Sequence, residues 1–350
     1  MNKIQIEDFE ALCQLGYIDW EKLNHKTILI TGSTGLIGSN LALALLYANT
    51  SLGLNIHLVL PARNTEAAHR MFGEEALTIL PYSVGDELNY QGSVDYLVHL
   101  ASPTSSKFFA EKPVNTMLTN IEGTKTILDF AASKQIKKLV CLSTMEVYGL
   151  PEKGHKVQEN ELGSFDTMSA RNSYPIAKIA CEALCHSYYK QYGLPAVILR
   201  LTQTFGPGVR YDDGRVFAQF MRCAIEKKDI VLKSAGLTER PYLYTADAVS
   251  AIIVALLHGK PGEAYTAANP DTYCSIAAMA NLICNEITKG QIKVVFDMEE
   301  DIAKLGYADT LYMDLDVSKI EALGWKARTD LCSAYRRMIA WCEDKEKQSI

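Results

Sequence analysis

Residues Thr27-Ile28-Leu29-Ile30-Thr31-Gly32-Ser33-Thr34-Gly35-Leu36-Ile37-Gly38, followed by Ser39-Asn40-Leu41-Ala42-Leu43-Ala44-Leu45-Leu46, decide the fold. An apolar run, a glycine turn and a second apolar segment read as strand, loop and helix. Gly32 suits the tight turn. Gly35 lets backbone N–H groups approach a pyrophosphate, and Gly38 lets the helix pack close to the strand. The helix start, with the backbone of Thr34, Leu36 and Ile37, then faces an anion. The stretch predicts a dinucleotide site on the first strand of a parallel sheet.

The next strand is Ile56-His57-Leu58-Val59-Leu60. An acidic residue at its end would bind the ribose hydroxyls of NAD, and none is present. The segment reads Pro61-Ala62-Arg63-Asn64, and Arg63 suits the 2′-phosphate of NADP better than a bare diol, so the expected cofactor is NAD or NADP. As a surface arginine starting a helix, Arg63 has an equally simple explanation. Two more strands, Val94 to Ser102 and Lys138 to Thr144, end in small or hydroxyl residues. Their ends, with Ala101, Ser102, Ser143 and Thr144, should open onto the cofactor crevice, where Ser143 and Thr144 could hydrogen-bond a reacting alcohol or carbonyl.

Strands alternating with helical segments predict an α/β fold: a Rossmann-like doubly wound parallel sheet with a smaller C-terminal α/β substrate lobe. The expected division is a helical extension over 1–26, a sheet domain over 27–203 plus 242–260, and a lobe over 204–241 plus 261–350. The extension reads as an amphipathic helix with Phe9, Leu12, Leu15 and Trp20 as anchors. Residues 151–166, rich in Gly, Lys and Glu, read as a mobile loop beside the site.

Ser173-Tyr174-Pro175-Ile176-Ala177-Lys178 places a tyrosine and a lysine four apart, on one helical face. There the ammonium favours the phenolate, lowering the tyrosine toward working pH and making a base for an alcohol proton. A half-buried tyrosine beside a lysine that reaches for solvent gives the same spacing.

With these residues assembled, the chain resembles the extended short-chain dehydrogenase/reductases that act on nucleotide sugars, the epimerase/dehydratase group. The resemblance runs from about Thr27 to Glu343. It rests on Thr31 to Gly38, His99-Leu100-Ala101-Ser102-Pro103, Asn120-Ile121-Glu122-Gly123-Thr124, Ser143-Thr144-Met145-Glu146-Val147-Tyr148-Gly149, Tyr174 to Lys178, Phe205-Gly206-Pro207, Asp213-Gly214-Arg215-Val216 and Leu323-Gly324-Trp325. UDP-glucuronate decarboxylases are the nearest likeness, with 4,6-dehydratases beside them.

The resemblance implies a tightly held, recycled nicotinamide cofactor, oxidation of a sugar C4 hydroxyl to a transient ketone, and then decarboxylation, epimerisation or dehydration. Tyr174 would be the base, Lys178 would lower its pKa and hold the ribose, Thr144 would bond the C4 oxygen, and Asn120 would support Lys178 through water. Dehydratases of the group show Asp-Glu, and decarboxylases Ser-Glu, where this chain has Met145-Glu146. Glu146 keeps a carboxylate able to move a proton at C5. A thioether cannot protonate a leaving hydroxyl, so Met145 favours decarboxylation or epimerisation.

On the substrate side the group's decarboxylases carry Asn where Gln203 stands beside Thr204, Arg where Gly208 stands, and a sugar-contacting His where Arg210 stands. Arg215 and Arg240 match positions that contact the nucleotide diphosphate or an acidic sugar, for which a planar guanidinium is suited. In the group, helices like those near 113–134 and 174–192 pair across a homodimer. The other class of reading is an NADP-dependent reductase with an exchangeable cofactor, which Arg63 and His99 to Pro103 also suit.

With 350 residues, 48% hydrophobic and 22% charged, the chain can bury one large core and a smaller lobe. A net charge of −6 gives no reason to expect nucleic acid or an anionic membrane as partner. The start, Met1 to Asp8, lacks a signal-peptide core, and no apolar run reaches the length of a membrane span. Nine cysteines without a Cys-x-x-Cys pair suit a reduced, cytoplasmic protein. His155 and His186 lack companions at ligand spacing, so no metal is expected.

Overall fold

Helix α1 (Lys3–Cys13) and a 3₁₀ turn at Trp20–Leu23 lead into β1 (Thr27–Thr31) in a computed structural model that describes residues 1–103, 106–298 and 310–348. The chain then alternates through α2 (Leu36–Leu52), β2 (His57–Ala62), α3 (Thr65–Phe72), β3 (Leu77–Pro81), β4 (Tyr96–His99), α4 (Ser106–Glu111), α5 (Pro113–Lys134), β5 (Lys138–Thr144), β6 (Lys156–Val157), α6 (Ser173–Tyr192) and β7 (Ala196–Leu201). Its second half holds β8 (Gln203–Phe205), α7 (Val216–Glu226), β9 (Ile230–Leu232), β10 (Glu239–Tyr244), α8 (Thr245–His258), β11 (Ala264–Ala267) and β12 (Asn269–Ser275). There follow α9 (Ile276–Leu282), β13 (Val294–Phe296), β14 (Asp314–Leu315), α10 (Ser318–Glu321) and α11 (Leu331–Gln348).

Seven strands form one parallel sheet in the order β11-β7-β5-β4-β1-β2-β3. From β1 the chain builds outward to β2 and β3, then crosses back to β4 on the other side. That reversal opens a crevice beyond the carboxyl ends of β1 and β4. Ile28, Leu29 and Ile30 are fully buried, as expected of a strand covered on both faces. One face packs on α2 and α8 through Ala42, Leu45, Val249 and Ile252; the other packs on α5 and α6 through Ile127, Leu128 and Cys185.

Two glycines explain why α2 starts where it does. Gly32 has φ +69°, and a Cβ there would lie 2.8 Å from the Ala101 nitrogen. A Cβ on Gly38 would lie 2.2 Å from the Gly32 oxygen. Without side chains, the β1 turn nests against the end of β4 and the first turn of α2.

The lobe has its own core. β10 pairs with β8 in parallel and with β12 antiparallel, and Phe205, Phe217, Tyr242, Met279 and Tyr335 pack together there.

Three expectations change. The strand Ala264–Ala267, assigned to the lobe by ending the sheet domain at 260, pairs with β7 as the seventh sheet strand. Its four residues, Ala-Tyr-Thr-Ala, are too short and mixed to show a period. Met313, Leu315, Ile320 and Trp325 also return to the sheet domain's core, and Trp325 donates to Ser250 Oγ at 2.9 Å. Residues 151–166 are anchored: β6 pairs with β14, Arg200 donates to the Glu159 carbonyl at 2.7 Å, and Glu159 Oε1 accepts from the Thr266 nitrogen at 2.8 Å.

The N-terminal extension buries Phe9, Leu12, Leu15 and Trp20. Asp8 on α1 accepts from Tyr244 OH at 2.6 Å and from Arg337 Nε at 2.9 Å, tying the extension to the lobe. Among the described residues no helix is long and apolar enough to cross a membrane.

Candidate active site

The crevice at the switch in strand order is lined from the turn after β1. Thr34 and Gly35 are exposed, and Gly35 caps α2 with no side chain to occupy the first N–H groups. The backbone at Leu36 and Ile37 therefore keeps donors for an anion. Ser33 Oγ and Ser143 Oγ are buried without a hydrogen-bond partner. Orphaned buried hydroxyls call for a partner from outside the chain. With the glycine cradle, these donors and acceptors fit a bound dinucleotide. Arg63 lies exposed at the end of β2, while Asn64 caps α3 by accepting from the Ala67 nitrogen at 2.9 Å.

Beneath the crevice a chain of buried hydrogen bonds locks four elements together. Thr31 Oγ1 lies 2.7 Å from His99 Nδ1, and His99 Nε2 lies 3.3 Å from Thr124 Oγ1. Thr124 Oγ1 donates to Cys181 Sγ at 3.2 Å, and Cys181 to the Asn120 carbonyl at 3.3 Å. Every donor in the chain is used if His99 carries its proton on Nε2. Burial, with Lys178 nearby, drives the His99 pKa down to about 3, so the ring is neutral.

Helix α6 presents Tyr174 and Lys178 to this region. Tyr174 is 8% exposed and Lys178 5%. Lys178 Nζ donates to the Leu142 carbonyl at 3.0 Å. Ser102 Oγ donates to Asn120 Oδ1 at 2.8 Å, while Asn120 Nδ2 donates to the Thr116 carbonyl at 2.7 Å. The expected net lowering of the Tyr174 pKa does not occur here. Burial raises it, outweighing the pull of the Lys178 ammonium and the hydroxyls of Thr144 and Ser102, while the Glu146 carboxylate pushes it further up. Lys178 stays protonated: burial opposes its charge, but Tyr174 and three neighbouring cysteines raise its pKa on balance.

Glu146 follows β5 in a 3₁₀ turn, Met145–Tyr148, that Thr144 caps by accepting the Glu146 N–H at 3.2 Å. Its carboxylate accepts from Arg171 Nη1 at 3.1 Å. Arg171 lies 5.7 Å from the centre of the Phe109 ring, and Phe109 stacks on Tyr174. Met145 is turned into the core, where its sulfur lies 3.1 Å from the Thr202 hydroxyl, which donates to the Pro241 carbonyl at 2.6 Å.

Of the expected substrate residues, Gln203 and Arg240 meet, with Arg240 Nη1 at 3.5 Å from Gln203 Oε1 and Arg240 Nε buried without a partner. Thr204 is buried, and its hydroxyl donates to the Thr202 carbonyl at 3.0 Å. Arg215 forks onto Asp213 at 2.6 Å. Arg210 is 79% exposed and forks onto Asp212, so it does not converge with the others in this form.

Arg171 and Phe109 were not singled out from sequence. Arg171 stands three residues before Tyr174, almost one helical turn, which could have marked it as a neighbour. Phe109 carries no such signal, because its partner is 65 positions away. His155 and His186 bond Glu161 and the Gly262 carbonyl. Among the described residues no group of three or more His, Cys, Asp or Glu is placed to hold a metal.

Comparison with known proteins agrees with this architecture. UDP-glucuronic acid decarboxylase 1 of Xenopus tropicalis is 30% identical over 79% of this chain, which spans 64% of the frog protein's length. The UDP-N-acetyl-alpha-D-glucosaminuronate decarboxylase of Bacillus cytotoxicus is 32% identical over 85% of the chain and 91% of its own length. The fold is also that of the UDP-glucose 4-epimerase of Thermotoga maritima, with a TM-score of 0.77, 22% identity and coverage of 91% of this chain and 99% of that one. A family model described as the NAD dependent epimerase/dehydratase family matches residues 28–268, from β1 through the last strand of the sheet. Because that match takes in more than half of the chain and all seven sheet strands, the chain belongs to this epimerase/dehydratase family.

Proposed function

We propose that the protein is an enzyme that oxidises the C4 hydroxyl of an acidic nucleotide sugar to a transient ketone and releases the sugar carboxylate as carbon dioxide. The observation that carries this choice is Met145, a buried thioether directly after Thr144 and directly before Glu146. That position offers no acid for a departing hydroxyl, whereas loss of a carboxylate needs none. The printed activities of the frog and Bacillus relatives support the same choice.

Gly32 to Gly38, Ala101, Ser102, Ser143 and Lys178 would hold the dinucleotide, with Arg63 set to meet a 2′-phosphate. A bound nicotinamide would supply reversible hydride acceptance and so would be recycled in place. Tyr174 in its phenolate form takes the proton of the C4 hydroxyl at Oη and later gives it back. The Lys178 ammonium stabilises the phenolate, and Thr144 Oγ1 donates to the C4 oxygen. Once the carboxylate has left as carbon dioxide, C5 takes up one proton from solvent, which Glu146 relays. Arg215, Arg240, Gln203 and Thr204 would frame the nucleotide diphosphate and sugar, and Arg210 joins them only on leaving Asp212. A homodimer through α5 and α6 would cover Val114, Leu118 and Tyr192, which are exposed.

The test is incubation with UDP-, GDP-, CDP- and dTDP-linked sugars, acidic and neutral, with products read by mass. Loss of carbon dioxide from an acidic sugar is expected. Loss of water, or an unchanged mass with a new retention time, would replace the reading with a dehydratase or an epimerase.

A further inference from the structure

An acidic sugar brings a second carboxylate close to Glu146, and the two repel unless a cation stands between them. Of the arginines expected for that task, Arg210 and Arg215 are forked onto Asp212 and Asp213, and Arg240, whose Nε has no partner, meets neutral Gln203 at 3.5 Å and not Glu146. Arg171 is placed otherwise. It makes one bond to Glu146, from Nη1 at 3.1 Å, and among the described residues the guanidinium makes no other hydrogen bond. A guanidinium has five donors in a planar fork, so the rest of the fork is available to a carboxylate. The pair is half-buried, with 35% of the Arg171 side chain and 30% of the Glu146 side chain exposed. A ligand can reach it. The Phe109 ring supports the guanidinium from one side and stacks on the Tyr174 ring, which ties the position of Arg171 to that of the base.

We propose that Arg171 is a specificity-determining residue: its fork holds Glu146 and receives the carboxylate of the acidic nucleotide sugar, selecting that sugar over its neutral counterpart. The inference rests on the decarboxylase reading given above. Because the contact is made to the carboxylate of the bound sugar, it belongs to substrate binding, and its loss acts on KM and on the preference for the acidic sugar.

The experiment measures kcat and KM of the full chain on UDP-glucuronate, with UDP-glucose as a competitor, for the wild type, Arg171→Lys and Arg171→Met. The wild type should bind the acidic sugar more tightly than the neutral one. Arg171→Met should raise KM for UDP-glucuronate by about 10- to 100-fold, the worth of a charge-assisted contact, and leave the inhibition constant of UDP-glucose within about 3-fold. Arg171→Lys, which keeps the charge and loses the fork, should fall between. If both variants keep the wild-type preference for the acidic sugar, the role of Arg171 is wrong while the reaction stands. If the wild type itself neither binds nor turns over an acidic nucleotide sugar, the reading beneath it fails as well. Should Arg171→Met not fold, Arg171→Lys with an unchanged preference overturns the proposal alone.

Discussion

The ring of Phe109 lies parallel to that of Tyr174, with 4.2 Å between centroids and 4° between planes. Phe109 is 1% exposed, so this stack seals one side of Tyr174 and accounts for part of the burial that raises its pKa. Phe109→Ala should cost about 3–5 kcal/mol of stability, as large-to-small changes of buried aromatics do. It should also admit water to Tyr174 and move its pKa down. The checks are a denaturant midpoint and the pH dependence of kcat/KM, whose rising limb should shift to lower pH.

Lys178 acts on the same limb in the opposite direction. Turnover that needs the Tyr174 phenolate rises with pH as the phenol ionises, and the Lys178 charge favours that ionisation. Lys178→Met removes the favourable charge, so the limb should move to higher pH and activity near neutrality should fall by about 100-fold or more. A pH profile of kcat/KM with an unmoved limb would separate Lys178 from the ionisation of Tyr174.

Gly35 and Gly38 should part company under substitution. A Cβ on Gly38 meets the Gly32 oxygen at 2.2 Å, whereas one on Gly35 meets it at 3.3 Å and otherwise faces open space. Gly38→Ala should unsettle the β1 turn and lower the melting temperature. Gly35→Ala should melt close to the wild type but bind nicotinamide dinucleotide about 10-fold or more weakly, because the added methyl stands where the pyrophosphate approaches. Calorimetric melting and dinucleotide titration distinguish the two.

The Asp8 carboxyl gives a pH signature to the N-terminal extension. Burial pushes its pKa up to about 6, although Tyr244 and Arg337 pull it down. Between the unfolded value and about 6 the folded chain holds a proton that the unfolded chain has lost, so this group's contribution to stability falls as pH rises through that window. Asp8→Asn cannot titrate. The stability of the wild type relative to Asp8→Asn should drop by about 2–3 kcal/mol between about pH 4 and about pH 7. Equilibrium unfolding at the two pH values checks the sign.

Arg200 and Glu182 form a buried fork, 2.6 Å and 3.0 Å, between β7 and α6. Removing one partner strands the other charge out of water. Glu182→Gln should cost about 3–5 kcal/mol, read as a lower denaturant midpoint, with the double change Glu182→Leu and Arg200→Met recovering part of the loss.

The sheet was legible because its signals are local: the apolar runs at Thr27–Thr31 and Lys138–Thr144 and the glycine turn carry their own periodicity and stereochemistry. The pairing of Tyr174 with Lys178 was legible for the same reason, being one helical turn. What the sequence hid depends on distant neighbours. Ala264–Ala267 becomes a sheet strand only because the edge of β7 is free to receive it. The Tyr174 pKa turns on burial under Phe109 and on Glu146, neither of which lies on its helix. The loop at 151–166 is pinned through Glu159 by Arg200 and Thr266, contacts that composition does not reveal.

The central claim, oxidation by way of Tyr174 followed by loss of the sugar carboxylate, is tested most directly by the mass of the product formed from UDP-glucuronate by the wild type and by Tyr174→Phe. The account predicts a wild-type product lighter by carbon dioxide and almost no product from Tyr174→Phe, whose dinucleotide binding is retained. A wild-type product of unchanged mass or one lacking water would contradict it, as would full activity in Tyr174→Phe.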